Sequence, residues 1–181
     1  MRSKICYTLL SECKQRKEDE SVTGTLKFPY KIQWIQPEQW DETIKMIWRT
    51  FMKFEAADYS ERGIQNFDAF LNDGELYEWY LQGKYRMLVA MDGDQVIGEI
   101  SVRSGNFISL LFVEEDYHRQ GIGRELIRQM GKYLKHQRKE SFMTVNAAPY
   151  AVDFYKKLGF RIVKPEEEIA GIRVTAMEKL L

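Results

Sequence analysis

The sequence predicts a mixed α/β domain built on a mostly antiparallel sheet, and two stretches predict it. Three runs, Tyr85 to Met91, Gln95 to Arg103 and Phe107 to Val113, are separated by tight-turn sequences containing Asp92-Gly93 and Ser104-Gly105. Asp-Gly supplies the positive φ angles that two-residue hairpin turns demand, so these runs form an antiparallel meander. A long helical pattern follows from Gly121 to about Arg138, burying Ile122, Leu126, Ile127, Met130, Tyr133 and Leu134. The chain then returns to a strand at Phe142 to Val145, and a connection of that length through a helix suits a parallel neighbour.

The remaining elements have equally local reasons. Ile32 and Trp34 alternate with Gln33 and Ile35 as a short strand, after which Pro37 opens a helix where its missing NH costs nothing. Trp40, Ile44, Ile47, Trp48 and Phe51 make that helix's apolar stripe, with Asp41, Glu42, Lys45 and Arg49 facing water. Ser60 caps a second helix carrying Ile64, Phe67 and Leu71, which Asn72-Asp73-Gly74 ends, and a short amphipathic link runs from Leu76 to Tyr80. Near the C-terminus, Pro149 starts a helix through Leu158, Gly159 terminates it, and strands at Phe160 to Val163 and Ile172 to Lys179 follow. Residues 31 to 181 form the domain. Residues 1 to 30 read as an appendage: Ile5, Cys6, Leu9, Leu10 and Cys13 share one helical face, followed by a charged, Ser-containing run from Glu12 to Ser21.

Composition narrows the function classes. The chain has 181 residues, 44% of them apolar, with 27 Lys plus Arg against 27 Asp plus Glu. Chains near 150 residues bury roughly 70% of the surface they expose when unfolded, so this core needs neither disulfides nor a structural metal. Zero net charge removes the excess of cations on which nucleic-acid affinity rests. The longest apolar stretch, Met87 to Met91, falls far short of the roughly 20 residues that span a bilayer, so neither nucleic acid nor membrane is an expected partner. Cys6 and Cys13 form neither a CxxC pair nor a secreted disulfide framework, which fits a cytoplasmic protein.

Chemistry concentrates where the third meander strand meets the long helix. Leu110-Leu111-Phe112-Val113 leads through Glu114 to Tyr117 into His118-Arg119-Gln120-Gly121-Ile122-Gly123-Arg124. Glycines let backbone approach a ligand closely, and the unpaired NH groups of a helix's first turn suit a phosphate. A dinucleotide fingerprint is excluded because Leu126 stands where its third glycine belongs, and Gly131-Lys132-Tyr133 is not a P-loop. There is no GxSxG or HExxH, and His118 and His136 are too isolated for a metal cluster.

A second segment, Val145-Asn146-Ala147-Ala148-Pro149-Tyr150-Ala151-Val152-Asp153-Phe154-Tyr155-Lys156-Lys157-Leu158-Gly159-Phe160, supplies the context. Together the two segments resemble the GNAT superfamily of acyl-CoA-dependent N-acetyltransferases: a strand ending in Val, a glycine loop of the form (Arg/Gln)xxGxGxx, then Asn and a Phe-Tyr-xxx-Gly-Phe helix end. The likeness spans roughly Lys31 to Leu181, with His118 in place of the usual first residue of the loop. It implies a sheet with a splayed pair of parallel strands and helices on both faces, and acetyl-CoA lying in the gap as co-substrate, with no metal. Strand ends that separate leave backbone groups for the pantetheine amides to satisfy. On this likeness Leu111, Phe112 and Val113 line the pantetheine, backbone near Leu111 holds the thioester oxygen, and His118, Arg119, Gln120, Gly121, Ile122, Gly123 and Arg124 cradle the pyrophosphate. Arg128 could join the phosphate contacts, and Asn146 and Phe154 contact the cofactor arm.

The resemblance also assigns chemistry. Tyr155 is the expected proton donor to the departing thiolate, a phenol of pKa about 10 that stays protonated at neutral pH. Glu99, in mid-strand on the face expected to hold Ile97 and Ser101, is the candidate base. The acceptor is expected to be a small-molecule or peptide amine, in a pocket between the first two helices and the Lys164 to Gly171 loop, where Glu55, Asp58 and Glu166 to Glu168 favour a cation. A homodimer is compatible with this reading. The competing reading is a non-catalytic acyl-CoA-binding or interaction module on the same fold.

Overall fold

The computed structural model describes residues 7–8, 28–169 and 171–181. The meander forms as its turns dictate: β3 (Tyr85–Asp92), β4 (Gln95–Arg103) and β5 (Phe107–Val113) pair antiparallel. The turn between β4 and β5 takes positive φ at both Ser104 (52°) and Gly105 (87°), as a hairpin turn that follows the strands' twist requires. On the outer side β2 (Lys31–Trp34) pairs antiparallel with β3. Beyond β5 the sheet continues through β6 (Phe142–Ala147) and β9 (Ile172–Leu180) to β7 (Arg161–Ile162).

Helices cover both faces. On one lie α1 (Trp40–Phe54), α2 (Glu61–Asn72) and α3 (Gly74–Leu81), whose Met46, Ile47, Phe51, Phe67, Leu71 and Leu76 pack on Met87, Val89, Leu110 and Phe112. On the other, α4 (Ile122–His136) and α5 (Val152–Lys157) set Leu126, Ile127, Met130, Leu134 and Tyr155 against Leu88, Ile100, Ile108, Leu111 and Val145. The caps read from sequence are made: Ser60 accepts from the Gly63 NH at 3.1 Å. Pro37 opens a single 3-10 turn that leads into α1. The amphipathic link is α3, a full two turns, because the Asp73 side chain caps it by accepting from the Glu75 NH at 3.0 Å. Much of the expected loop from Lys164 to Gly171 is a strand, β8 (Glu167–Ile169), folded back on β9.

The feature that positions the site is the junction of β5 and β6. These strands run parallel and share one register pair, Phe107 with Thr144, at their N-terminal ends. Past that point β5 and β6 make no further pairs, although β6 remains zipped to β9 along its whole length. A short strand, β1 (Tyr7–Thr8), runs parallel to β5 with Tyr7 opposite Leu110 and Thr8 opposite Leu111. Apart from these two extended residues, the helical face expected over Ile5 to Cys13 lies outside the described residues.

Candidate functional site

The parting strands lead into a cavity of about 290 Å³ at the start of α4. Its walls come from Leu111 and Val113 on β5, from the loop running Tyr117 to Arg124, and from Phe154, Lys157 and Leu158 at α5. Arg119 and Gly121 both take positive φ, 62° and 82°, which curls the loop and turns successive backbone NH groups towards one concavity. Gly121 is the N-cap of α4, so the free NH groups of that helix's first turn border the same space. A Cβ at Gly121 would meet nothing within 4 Å, whereas one at Gly123 would lie 3.3 Å from the Phe154 ring. The loop thus offers open volume, NH donors and a helix N-terminus together, which fits a pyrophosphate.

Its shape is fixed from outside. A His118 ring nitrogen lies 2.8 Å from the Val113 carbonyl, and the ring packs on Phe54 with centroids 5.2 Å apart. Gln120 donates to the Asp116 carbonyl at 3.0 Å and accepts from the Tyr30 hydroxyl. Tyr117 donates to Asp92 at 2.9 Å, tying the loop to the first hairpin. Arg124 faces the cavity, but Arg128 is held by Glu125 one turn back, and this guanidinium keeps the Glu125 carboxyl below the usual carboxylate range.

Ten of the twelve residues expected to hold the cofactor therefore meet in one place. Phe112 does not, because residues alternate along a strand: its side chain points to the opposite face and stacks on Phe67 at 6.2 Å, leaving only its backbone near the gap. Asn146 lies half-buried on β6, opposite Ala176 and away from the cavity wall. Tyr117, Lys157 and Leu158 line the cavity without having been singled out; Lys157, at the end of α5, adds a cation facing the loop from across the gap.

Two bulges reshape the strands beside the gap. In β5 the register skips from Leu110 to Ile108, so Ser109 is an extra residue, and its buried hydroxyl has no partner. A bulge bends the strand and leaves backbone groups outside the ladder, here next to Leu110 and Leu111. In β4 the skip from Val96 to Gly98 makes Ile97 extra, so Ile97 sides with the α4 face and does not share a face with Glu99, as the plain alternation had suggested. Glu99 and Ser101 face the α1 side, where the Ser101 and Tyr85 hydroxyls lie 2.6 Å apart. The Glu99 side chain is fully buried with neither oxygen in good hydrogen-bond geometry, and burial pushes its pKa up to about 8. It is one strand removed from the gap.

Tyr155 is fully buried on the α4 side, edge-on to Phe154 and Phe160 at 5.3 and 4.9 Å. The expected acceptor walls do converge, since a Cβ at Gly171 would come within 3.2 Å of Ser60 Oγ, which brings the β8–β9 turn onto the start of α2. Of the acidic residues there, Asp58, Glu166, Glu167 and Glu168 are exposed, and Glu166 pairs with Arg173 at 3.5 Å. Glu55 differs: it is fully buried, and burial raises its pKa to about 8. Among the described residues no group of three or more His, Cys, Asp or Glu could hold a metal ion, and no helix is long and apolar enough to cross a membrane.

Comparison with known proteins agrees with this geometry. A family model described as an acetyltransferase (GNAT) domain matches residues 55–181, more than half of the chain. An uncharacterized N-acetyltransferase of Escherichia coli K12, YafP, is 34% identical over 83 residues, covering 46% of this chain and 51% of that protein, so the match spans about half the length of this curated relative. Among solved structures, a GCN5-related N-acetyltransferase from Rhodopseudomonas palustris aligns with a TM-score of 0.73 at 24% identity, covering 90% of this chain and all of that one. The PaiA N-acetyltransferase of Thermoplasma acidophilum, crystallised with coenzyme A, aligns with a TM-score of 0.71 at 19% identity over 84% of this chain and 99% of its own.

Proposed function

The chain belongs to the GNAT acetyltransferase family, and from that premise we propose that it transfers the acetyl group of acetyl-CoA to a primary amine by direct attack in a ternary complex. The observation that carries this reading is the coincidence of three features at one point: strands that part after Phe107 and Thr144, a cavity continuing from the split, and the N-terminus of α4 with its glycine cradle. The loop from His118 to Arg124 binds the pyrophosphate through backbone NH groups, with Arg124 and Lys157 adding charge. Backbone next to the Ser109 bulge, near Leu111, polarises the thioester carbonyl as negative charge develops on its oxygen. Tyr155 protonates the departing sulfur. A buried carboxyl takes the amine's proton; the described residues hold two, Glu99, which the strand pattern picks out but which lies one strand from the gap, and Glu55.

The acceptor enters from the α1–α2 side, and the acidic rim formed by Asp58 and Glu166 to Glu168 favours a cationic amine. The deciding experiment offers the protein acetyl-CoA with a panel of polyamines, aminoglycosides, amino acids and peptide N-termini, and measures free thiol. Release of thiol with at least one amine supports the enzyme. Thermal protection by acetyl-CoA without thiol release from any amine would favour a non-catalytic acyl-CoA-binding module.

We also place the domain boundary before Lys31, with Phe28 and Tyr30 as its docked edge, since their rings form a chain to Tyr117 at 5.6 Å per step. Removing residues 1 to 27 is then expected to leave a folded protein that binds acetyl-CoA at least as tightly as the full chain. The β5 backbone that pairs with Tyr7 and Thr8 is the edge proposed for pantetheine, and one edge cannot pair with both. Calorimetry on the shortened protein checks this, and loss of folding would move the boundary towards the N-terminus.

A further inference from the structure

Glu55 is the C-cap of α1 and has 0% of its surface exposed. Oε2 has a long contact with the Tyr59 hydroxyl, 3.4 Å, and Oε1 has no hydrogen-bond partner. The Tyr150 hydroxyl faces the same carboxyl, is itself buried, and is likewise without a partner in good geometry. A buried carboxyl left this poorly satisfied is costly, by roughly 1 to 3 kcal/mol for each unmet group, and such a cost is tolerated where the group has work to do.

Its position indicates the work. The end of α1 is fastened to the exit of β5, where Arg49 Nε donates to Glu114 at 2.8 Å and Phe54 packs on His118. Tyr150 lies three residues beyond the last residue of β6. Glu55 therefore lies between the element fastened to the exit of β5 and the segment that follows β6. Glu99, by contrast, is flanked by Val89 and Phe112 in unbroken pairing on both sides.

We propose that Glu55 is the base for the attacking amine, with the Tyr150 and Tyr59 hydroxyls beside its carboxyl. The proposal rests on the acetyltransferase reading above. The amine nitrogen forms the bond to the thioester carbonyl carbon as its proton passes to Glu55; the carbon–sulfur bond breaks as Tyr155 gives its proton to sulfur. Glu55 then gives its proton up to solvent and Tyr155 takes one back, which restores both groups. For a neutral amine the net change is one proton moved from nitrogen to sulfur, and an amine that arrives as its ammonium ion releases one further proton to solvent before it attacks.

The charged state of Glu55 sets the pH dependence. Burial raises its pKa most, the Tyr150 and Tyr59 hydroxyls oppose that rise, and the Asp58 charge adds to it, giving a value of about 8. Tyr150 in turn faces Glu55, Tyr59 and Tyr155 and is held protonated by burial. Below about 8 Glu55 carries a proton and cannot act as a base, so with saturating amine the rate kcat rises with pH up to that value and levels off above it.

The test uses the full chain, saturating acetyl-CoA and the amine that gives the fastest thiol release. Glu55→Gln is expected to lower kcat by roughly 100-fold or more and to remove the ascending limb, with acetyl-CoA affinity within about twofold of wild type. Glu55→Asp should restore part of the activity, and Tyr150→Phe should lower kcat without abolishing the limb. A folded Glu55→Gln variant that keeps both its rate and its ascending limb overturns the proposal, as does a limb that is lost in Glu99→Gln instead. An infrared readout needs no turnover: raising the pH through about 8 should convert two buried carboxyls, Glu55 and Glu99, to carboxylate in wild type and only one in Glu55→Gln, and spermidine should bring one of the two conversions to lower pH in wild type and neither in Glu55→Gln. If that signal is absent the proposal fails on its own, whereas its presence with no thiol released by any amine would fail the acetyltransferase reading instead.

Discussion

Gly121→Asp is expected to abolish acetyl-CoA binding while leaving the domain folded. Gly121 caps α4 at a φ of 82°, a region where a residue with a Cβ is strained, by about 1 to 2 kcal/mol, and Asp is among the residues that tolerate it best. A Cβ there meets no atom within 4 Å, so the new side chain enters the space assigned to the pyrophosphate without displacing protein. Its carboxylate then repels the phosphates and occupies the helix N-terminus itself, the most favourable place on the loop for negative charge. Gly123→Asp reaches the same end differently, because its Cβ would press on the Phe154 ring at 3.3 Å and narrow the cavity. Gly74→Asp is the control: it also has open space around its Cβ, but it sits at the first position of α3, where an acid is welcome. Calorimetry should show wild-type affinity for the control and no measurable binding for the loop variants. Equal affinity in folded Gly121→Asp and Gly123→Asp would mean that acetyl-CoA binds elsewhere.

That loop was legible in the sequence because everything it depends on is local. Two glycines one residue apart between an apolar strand and an amphipathic helix specify a turn and a helix start, and the α4 stripe from Ile122 to Leu134 is buried as its spacing requires. The hairpins were legible for the same reason. What the sequence could not show depends on contacts between residues far apart in the chain. Glu55 stands beside Ala56, Ala57 and Asp58 with nothing local to mark it as buried, and one of the hydroxyls that face it, that of Tyr150, comes 95 residues later. The bulges at Ile97 and Ser109 leave no mark on an apolar run, yet they decide which face Glu99 occupies and where the β4–β5 ladder is interrupted. β8 carries Glu167-Glu168-Ile169, too short and too acidic to show a strand period, and forms because β9 offers an edge. Phe112 could have been placed from sequence, since strict alternation through Leu110 to Val113 sends it away from Leu111 and Val113.

Tyr155→Phe is expected to lower turnover by roughly 100-fold or more while leaving acetyl-CoA affinity within a few-fold of wild type. Packing and chemistry make opposite demands on this residue, and the substitution separates them. The ring is fully buried and its edge-on contacts with Phe154 and Phe160 involve carbon atoms that phenylalanine keeps, so a purely structural tyrosine would lose at most its hydroxyl interactions, of order 1 kcal/mol. A hydroxyl that protonates sulfur only as the carbon–sulfur bond breaks contributes to the transition state and not to ground-state binding, so its removal falls on kcat and spares Kd. Tyr155→Leu shows what packing alone is worth, because it removes ring and hydroxyl together and should lower the melting temperature where Tyr155→Phe barely does. Stopped assays with thiol detection, run beside calorimetry and thermal melts on the same preparations, check all three quantities. Wild-type turnover in a folded Tyr155→Phe protein would return Tyr155 to the core as a packing residue and leave the departing thiolate to be protonated by water.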